Sequence, residues 1–120
     1  MSDRSPAVSV LIVTHGAWDW TARALTALVD HTDVAHEIIV VDNASPDGTA
    51  ARVRERFERV RVIENPDNAG FGPANNQAAE LARAPVLVLL NSDAIVSSGW
   101  LRPLLAALER DPAVALERGQ

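Results

Sequence analysis

Two apolar runs in this 120-residue sequence end on a carboxylate, and those two aspartates are where chemistry is to be expected. Val86-Leu87-Val88-Leu89-Leu90 runs into Asn91-Ser92-Asp93, and Ile38-Ile39-Val40-Val41 runs into Asp42. A lone aspartate directly behind a greasy strand is poorly located for stability and well located for a ligand or a metal. Asp93 has the hard oxygens suited to Mg²⁺ or Mn²⁺, which take few carboxylates and complete their shell with phosphate oxygens and water. Asn91 offers a neutral oxygen two residues earlier, on the same side if the strand stays extended that far. A helix N-cap would use an aspartate at 93 equally well. Asp42 also has two readings. It can hold a ribose or base by hydrogen bonds, or it can cap a helix and shape its loop.

Other polar groups cluster between these two. Asn68-Ala69-Gly70-Phe71-Gly72 places two glycines just before a helix, where free N–H groups and the helix dipole attract anions; a plain tight turn fits as well. Asn75, Asn76 and Gln77 crowd one helical turn, either as surface amides or as hydrogen-bond partners of a sugar or phosphate. His15 lies in the first strand-to-helix loop, within reach of a ligand. His31 and His36 are scattered and read as surface or packing residues.

The elements that must position these groups alternate. Residues 8–14 form a β-branched, almost continuously apolar strand of the kind buried on both faces. A helix follows, with Trp18, Ala22, Leu25 and Leu28 or Val29 at helical spacing. The strand from His36 to Asp42 leads to Ser45-Pro46, which reads as an N-cap with proline at the first helical position. Ala50, Val53 and Phe57 form the inner stripe of that second helix, and its arginines and glutamates a solvated face. Val60 to Glu64 is a short third strand. A third helix spans Gly70 to about Arg83, with Phe71, Ala74, Ala78 and Leu81 on one face. After the fourth strand, a last helix over roughly Ser98 to Glu109 carries Trp100, Leu101, Leu104, Leu105 and Leu108, its regular part delayed by Pro103. This βα alternation predicts an α/β fold: a Rossmann-like parallel sheet with helices on both faces and strand order 3-2-1-4. Thr14, Asp42 and Asn91–Asp93 then share one edge.

Composition removes several function classes. All eleven positive charges are arginine, and without lysine there is no Walker-A loop, Schiff base or kinase-like site. The loop Thr14-His15-Gly16-Ala17-Trp18 lacks Gly-x-Gly-x-x-Gly, which disfavours a nicotinamide dehydrogenase. A net charge of −5 offers no basic face for nucleic acid. No run is long and apolar enough for a membrane span, no signal-peptide core precedes residue 8, and cysteine is absent. A cytoplasmic protein is the expectation.

Four segments, in order, resemble the N-terminal half of family 2 inverting glycosyltransferases of GT-A type. They are Val-Ser-Val-Leu-Ile-Val-Thr (8–14), Glu-Ile-Ile-Val-Val-Asp-Asn-Ala-Ser-Pro-Asp-Gly-Thr (37–49), Asn-Ala-Gly-Phe-Gly-Pro-Ala-Asn-Asn (68–76) and Leu-Leu-Asn-Ser-Asp (89–93). The Asn-Ser-Asp form and the Gly-Phe-Gly loop are most similar to the rhamnosyltransferase-like branch. The resemblance implies a nucleoside diphosphate sugar, UDP- or dTDP-linked, as ligand. Asp42 would hold its base or ribose, with Asn43 and Ser45 beside it, and Thr14 and His15 would line the pocket. Asn76 and the loop with Asn68, Gly70 and Phe71 would lie near the donor. Asn91 and Ser92 would flank Asp93, which is similar to the last aspartate of the family's Asp-x-Asp motif and would hold Mg²⁺ or Mn²⁺ on the diphosphate.

The sequence also departs from that family. Thr14-His15-Gly16 stands where members often read Thr-Tyr-Asn, and Asn91 replaces the first aspartate of Asp-x-Asp. The family's general base belongs to an acceptor-binding second half. Of the carboxylates after Asp93, Glu109, Asp111 and Glu117 receive no catalytic role, and Asp111-Pro112-Ala113-Val114-Ala115-Leu116 starts like the family's next strand before the chain stops. The expectation is therefore one domain over 1–120, a donor-binding part incomplete for catalysis on its own. The alternative is a non-catalytic nucleotide-binding or assembly module of the same fold. A bare fourth-strand edge predicts a homo-oligomer or a partner chain covering it.

Overall fold

Apolar β-branched runs and amphipathic stretches alternate as the periodicity predicts: β1 (Val8–Thr14), α1 (Trp18–His31), β2 (His36–Asn43), α2 (Thr49–Arg56), β3 (Arg61–Asn65), α3 (Phe71–Leu81), β4 (Val86–Asn91) and α4 (Leu101–Arg110). The computed structural model describes residues 5–110. The strands form one parallel sheet in the order β3-β2-β1-β4, the expected order. β1 and β2 are central and almost wholly buried, which is why they read as unbroken apolar runs.

The two faces of the sheet are built differently. On one, Leu25 and Leu28 of α1, Val53 of α2 and Leu101 of α4 pack against Val8, Val10, Ile12, Ile38, Val40, Val88 and Leu90. On the other, α3 contributes Ala74 and Ala78 over Leu11, Ile39 and Val41. Small side chains let α3 lie close to the sheet, and they leave little of that helix inside. Phe71 and Leu81, expected to face inward with them, are exposed. Val29 is likewise exposed, so Leu28 is the inner residue of that pair. In α4 only Leu101 is fully buried, with Leu104, Leu105 and Leu108 half-buried. Trp100 packs on the first face and donates its indole N–H to Thr32 Oγ1 at 2.9 Å.

At the amino end of the sheet a polar staple joins three strands and a connection. Glu37 of β2 accepts from the Ser9 hydroxyl at 2.6 Å and the Arg83 amide at 2.6 Å, and pairs with Arg61 of β3 at 3.2 Å. Arg61 also donates to the Leu81 carbonyl, and the Ala84 amide donates to Ser9. Burial alone would push the Glu37 carboxyl up. The hydrogen bonds from Ser9, Arg83 and Arg61, with the Arg61 charge, outweigh it and hold the group below its usual value.

Two boundaries differ from expectation for identifiable reasons. α2 begins at Thr49 and not at Pro46, because the Ser45 hydroxyl is engaged elsewhere and Gly48 adopts a left-handed conformation at φ 75° before the helix. After β4 the chain does not stay extended: the Ala94 amide donates back to the Asn91 carbonyl at 3.1 Å, closing a turn over Ser92 and Asp93. Asn91 and Asp93 are thus related by a turn and not by strand alternation. Glu109 is exposed near the end of α4, while Asp111, Glu117 and the 111–116 stretch lie outside the described residues. Among the described residues no helix is long and apolar enough to cross a membrane.

Candidate functional site

Parallel pairing in register puts the sequence's candidate residues at one edge. Thr14 sits opposite Asp42, Val13 opposite Asn91, and Asn43 opposite Asn65, so the loops after all four strands emerge together at the carboxyl end. In open parallel sheets this is the ligand-binding edge.

The innermost layer of that edge is buried and internally satisfied. Thr14 is 2 % exposed, and its hydroxyl meets that of Thr21 in α1 at 2.9 Å. Asp42 is 1 % exposed. Its Oδ1 accepts the Ser45 amide at 3.0 Å and the Ser45 hydroxyl, and its Oδ2 accepts the Ala50 amide at 3.2 Å. Asn43 is equally buried. Its Oδ1 accepts from Asn65 at 2.8 Å and from the Ala69 amide at 3.3 Å, while its Nδ2 donates to the Gly70 carbonyl at 3.2 Å. Asn65 and Gln77 exchange a reciprocal pair of amide bonds at 2.8 and 2.9 Å. Among the described residues no buried side-chain nitrogen or oxygen lacks a partner. Thr14, Asp42 and Asn43, the sequence's candidates for ligand contact, are thus buried and bonded to the loops around them.

The outer layer is formed by those loops. His15 is exposed, and its Nδ1 lies against the Asn43 carbonyl at 2.5 Å. Gly16 donates its amide to Ser45 Oγ at 2.7 Å, and Trp18 donates its amide to Asp47 Oδ2 at 3.2 Å. Asp47 also accepts from both the amide and the hydroxyl of Thr49. The Thr49 hydroxyl does most to hold the Asp47 carboxyl below its usual value, against the opposing pull of burial, with the Trp18 and Thr49 amides adding to it. Asp47, just before the Gly48 N-cap, therefore accepts the first amide of α2, where Ser45 was the expected cap. Around these loops lies a cavity of about 320 Å³ lined by Gly16, Trp18, Trp20, Asp47 and Arg52. Arg52 and Arg56 stack on the Trp18 ring at 5.6 and 6.0 Å. A larger cavity, about 490 Å³, sits at the opposite, amino end of β2 beside His36 and Glu37, away from the candidate residues.

The third loop is fixed at Gly70 (φ 89°), whose amide is taken by Asn68 Oδ1 at 3.0 Å. Phe71 follows it, 51 % exposed. Asn75 turns inward and donates to the Phe71 carbonyl, whereas Asn76 is exposed and outside the amide network. At the end of β4, Asn91 and Ser92 are half-buried and Asp93 is exposed, with no hydrogen bond or ion pair to any described residue. Among the described residues no three His, Asp or Glu side chains come together. One exposed carboxylate with no partner among the described residues fits a hard divalent cation that draws its other ligands from a phosphate-bearing molecule and water. Asp47 and Asn65 are the structural residues that sequence reading missed. The Asp-Gly-Thr spacing at 47–49 was the available signal for the first, and nothing local marks the second.

Residues 9–119 match Glycosyl transferase family 2. The chain is 33% identical over 119 residues to polypeptide N-acetylgalactosaminyltransferase 3 of Drosophila melanogaster, with 92% of this chain and 18% of that protein covered. Among solved structures it is similar to the mannosyltransferase PcManGT from Pyrobaculum calidifontis in complex with GDP-Man and Mn²⁺, with a TM-score of 0.73 and 25% identity, over 82% of this chain and 33% of that one. S. aureus TarS 1-349 shares the fold at a TM-score of 0.75 and 22% identity, over 86% of this chain and 32% of that one. The chain thus spans about a fifth of the length of such curated relatives and a third of those structures.

Proposed function

Because the chain belongs to glycosyl transferase family 2, we propose that its carboxyl edge binds a nucleoside diphosphate sugar through a divalent cation, for transfer of the sugar to an acceptor hydroxyl. The observation that carries this reading is the exposed Asp93, unpaired among the described residues, in the loop that leaves β4 at the same sheet edge as the loops after β1 and β2. Residues 1–120 then act as one nucleotide-sugar-binding unit. Asp93, aided by the Asn91 oxygen, would hold Mg²⁺ or Mn²⁺, which supplies neutralising charge for the departing diphosphate. His15, Ser45 and the backbone of the 68–71 loop form the outer contacts, with Phe71 an apolar platform and Ser92 and Asn76 at the rim. Thr14, Asp42 and Asn43 support them from beneath. No catalytic base is assigned, and transfer is expected to need an acceptor-binding part beyond these residues. Asn91-Ser92-Asp93 and Gly70-Phe71-Gly72 favour the rhamnosyltransferase-like branch, with a hexosyl or deoxyhexosyl donor.

Calorimetric titration with UDP, dTDP and GDP, with and without Mn²⁺, tests the reading on wild type and Asp93→Ala. Metal-dependent binding that disappears in the variant is expected. A folded wild-type protein that binds none of the three nucleotides would leave the alternative, a non-catalytic module of the same fold. We also propose that a second copy of the chain, or a partner, covers β4: within the described residues β4 has a neighbour only at β1, and Leu87 and Leu89 are half-buried. A light-scattering mass equal to one chain at tens of micromolar would count against self-association.

A further inference from the structure

We infer that Asp42 and Ser45 act as a positioning couple, in which the buried carboxylate aims the Ser45 hydroxyl so that it clips the β1–α1 loop and presents His15 at the ligand edge. This deepens the reading of that edge as a nucleotide site and rests on it. Asp42 Oδ1 accepts from both the amide and the hydroxyl of Ser45, so the Ser45 hydroxyl is the donor to Asp42. That leaves the lone pairs of Ser45 Oγ for the Gly16 amide at 2.7 Å, and the direction of every bond in the chain Gly16 to Ser45 to Asp42 is fixed.

Asp42 is locked in turn. Its other oxygen takes the Ala50 amide in the first turn of α2, so the couple is anchored to both β2 and the helix behind it. The loops it joins are already in contact: a Cβ on Gly16, at φ +64°, would lie 3.4 Å from Pro46 Cδ. His15 stands between two fixed neighbours, Thr14 bound to α1 and Gly16 bound to Ser45. Its Nδ1 faces a backbone carbonyl, which only accepts, so Nδ1 carries a proton and donates, and Nε2 is turned away from that contact. A residue whose position suggests a direct ligand contact therefore works through another, and the surface a ligand meets is set from one layer below.

Amide hydrogen exchange, read residue by residue by NMR without nucleotide, tests the clip. In Ser45→Ala the Gly16 amide is expected to exchange at least about tenfold faster, the loss of one hydrogen bond, while Leu11 and Val40 stay as protected as in wild type. Ser45→Thr keeps the hydroxyl and restores protection. Titration with UDP, dTDP and GDP in the presence of Mn²⁺ then reads the consequence. Ser45→Ala and Asp42→Asn should each weaken binding of all three nucleotides alike, and the double variant should be no weaker than the worse single one. Unchanged Gly16 protection in Ser45→Ala overturns the couple, as do additive losses that differ from base to base. A wild type that binds no nucleotide fails the functional reading alone, and the exchange data still decide the clip.

Discussion

β2 carries one carboxylate near each of its ends, and the two are held by different kinds of partner. At the amino end Glu37 has a cation, Arg61, together with a hydroxyl and an amide. At the carboxyl end Asp42 is bound only by a hydroxyl and two amides, with no cation within ion-pair distance among the described residues. Asp47 and Asp93 on the same edge are also without ion pairs there. The amino end is thus a closed structural joint whose charges cancel. The carboxyl end has its buried hydrogen bonds satisfied and, among the described residues, no cation paired to its carboxylates, which suits the cation site proposed for it.

The comparison can be broken by substitution. Asp42→Ala removes the acceptor of two amides and a hydroxyl in a site with no water access and is expected to cost about 3 kcal/mol or more. Glu37→Gln keeps an acceptor for Ser9 and Arg83 and loses only a partly exposed ion pair, an expected cost of about 1 kcal/mol. Urea midpoints of the two variants measure the difference, and equal losses would remove the distinction between joint and site. The smallest effect is on acid stability. The Glu37 carboxyl is held below its ordinary value of 4.5, so its contribution is fully present above that value and is lost as pH falls through the lower folded value. Wild type should therefore lose stability on acidification through that window, and Glu37→Gln should lose less of it. Parallel denaturation curves at pH 6 and below pH 4 check this; identical acid losses in both proteins would mean the staple contributes nothing there.

Much of the architecture was legible because local and global preferences agree. Ile38–Val41 and Val86–Leu90 are strands on any reading, and strands joined by helices must run parallel. The edge that gathers Thr14, Asp42 and Asn91 follows from that order alone. What local sequence does not carry is the direction of a side chain whose partner lies far along the chain. Ser45 before proline reads as an N-cap, but a carboxylate three residues earlier captures its hydroxyl, the N-cap falls on Gly48 and Asp47 takes the Thr49 amide. Phe71 and Leu81 share a stripe with Ala74 and Ala78, but α3 lies so close to the sheet that only the alanines fit beneath it. The layering of the site had the same cause: Asn65, more than twenty positions beyond Asn43, donates to the Asn43 side chain from another strand.

The strand order also has a consequence for how the chain acquires its site. β2 and β3 pair with the strand nearest in sequence, but β4 must find β1, so Val8 meets Val86 only when nearly the whole described chain has been made. Closing that loop is the costliest contact in entropy, and β4 is expected to dock last, on a nucleus of β1, β2 and α1. Asp93 rides on β4. A folding intermediate would already hold the Asp42 loop and still lack the cation site proposed at Asp93, so cation binding there would report completion of the fold and not its beginning.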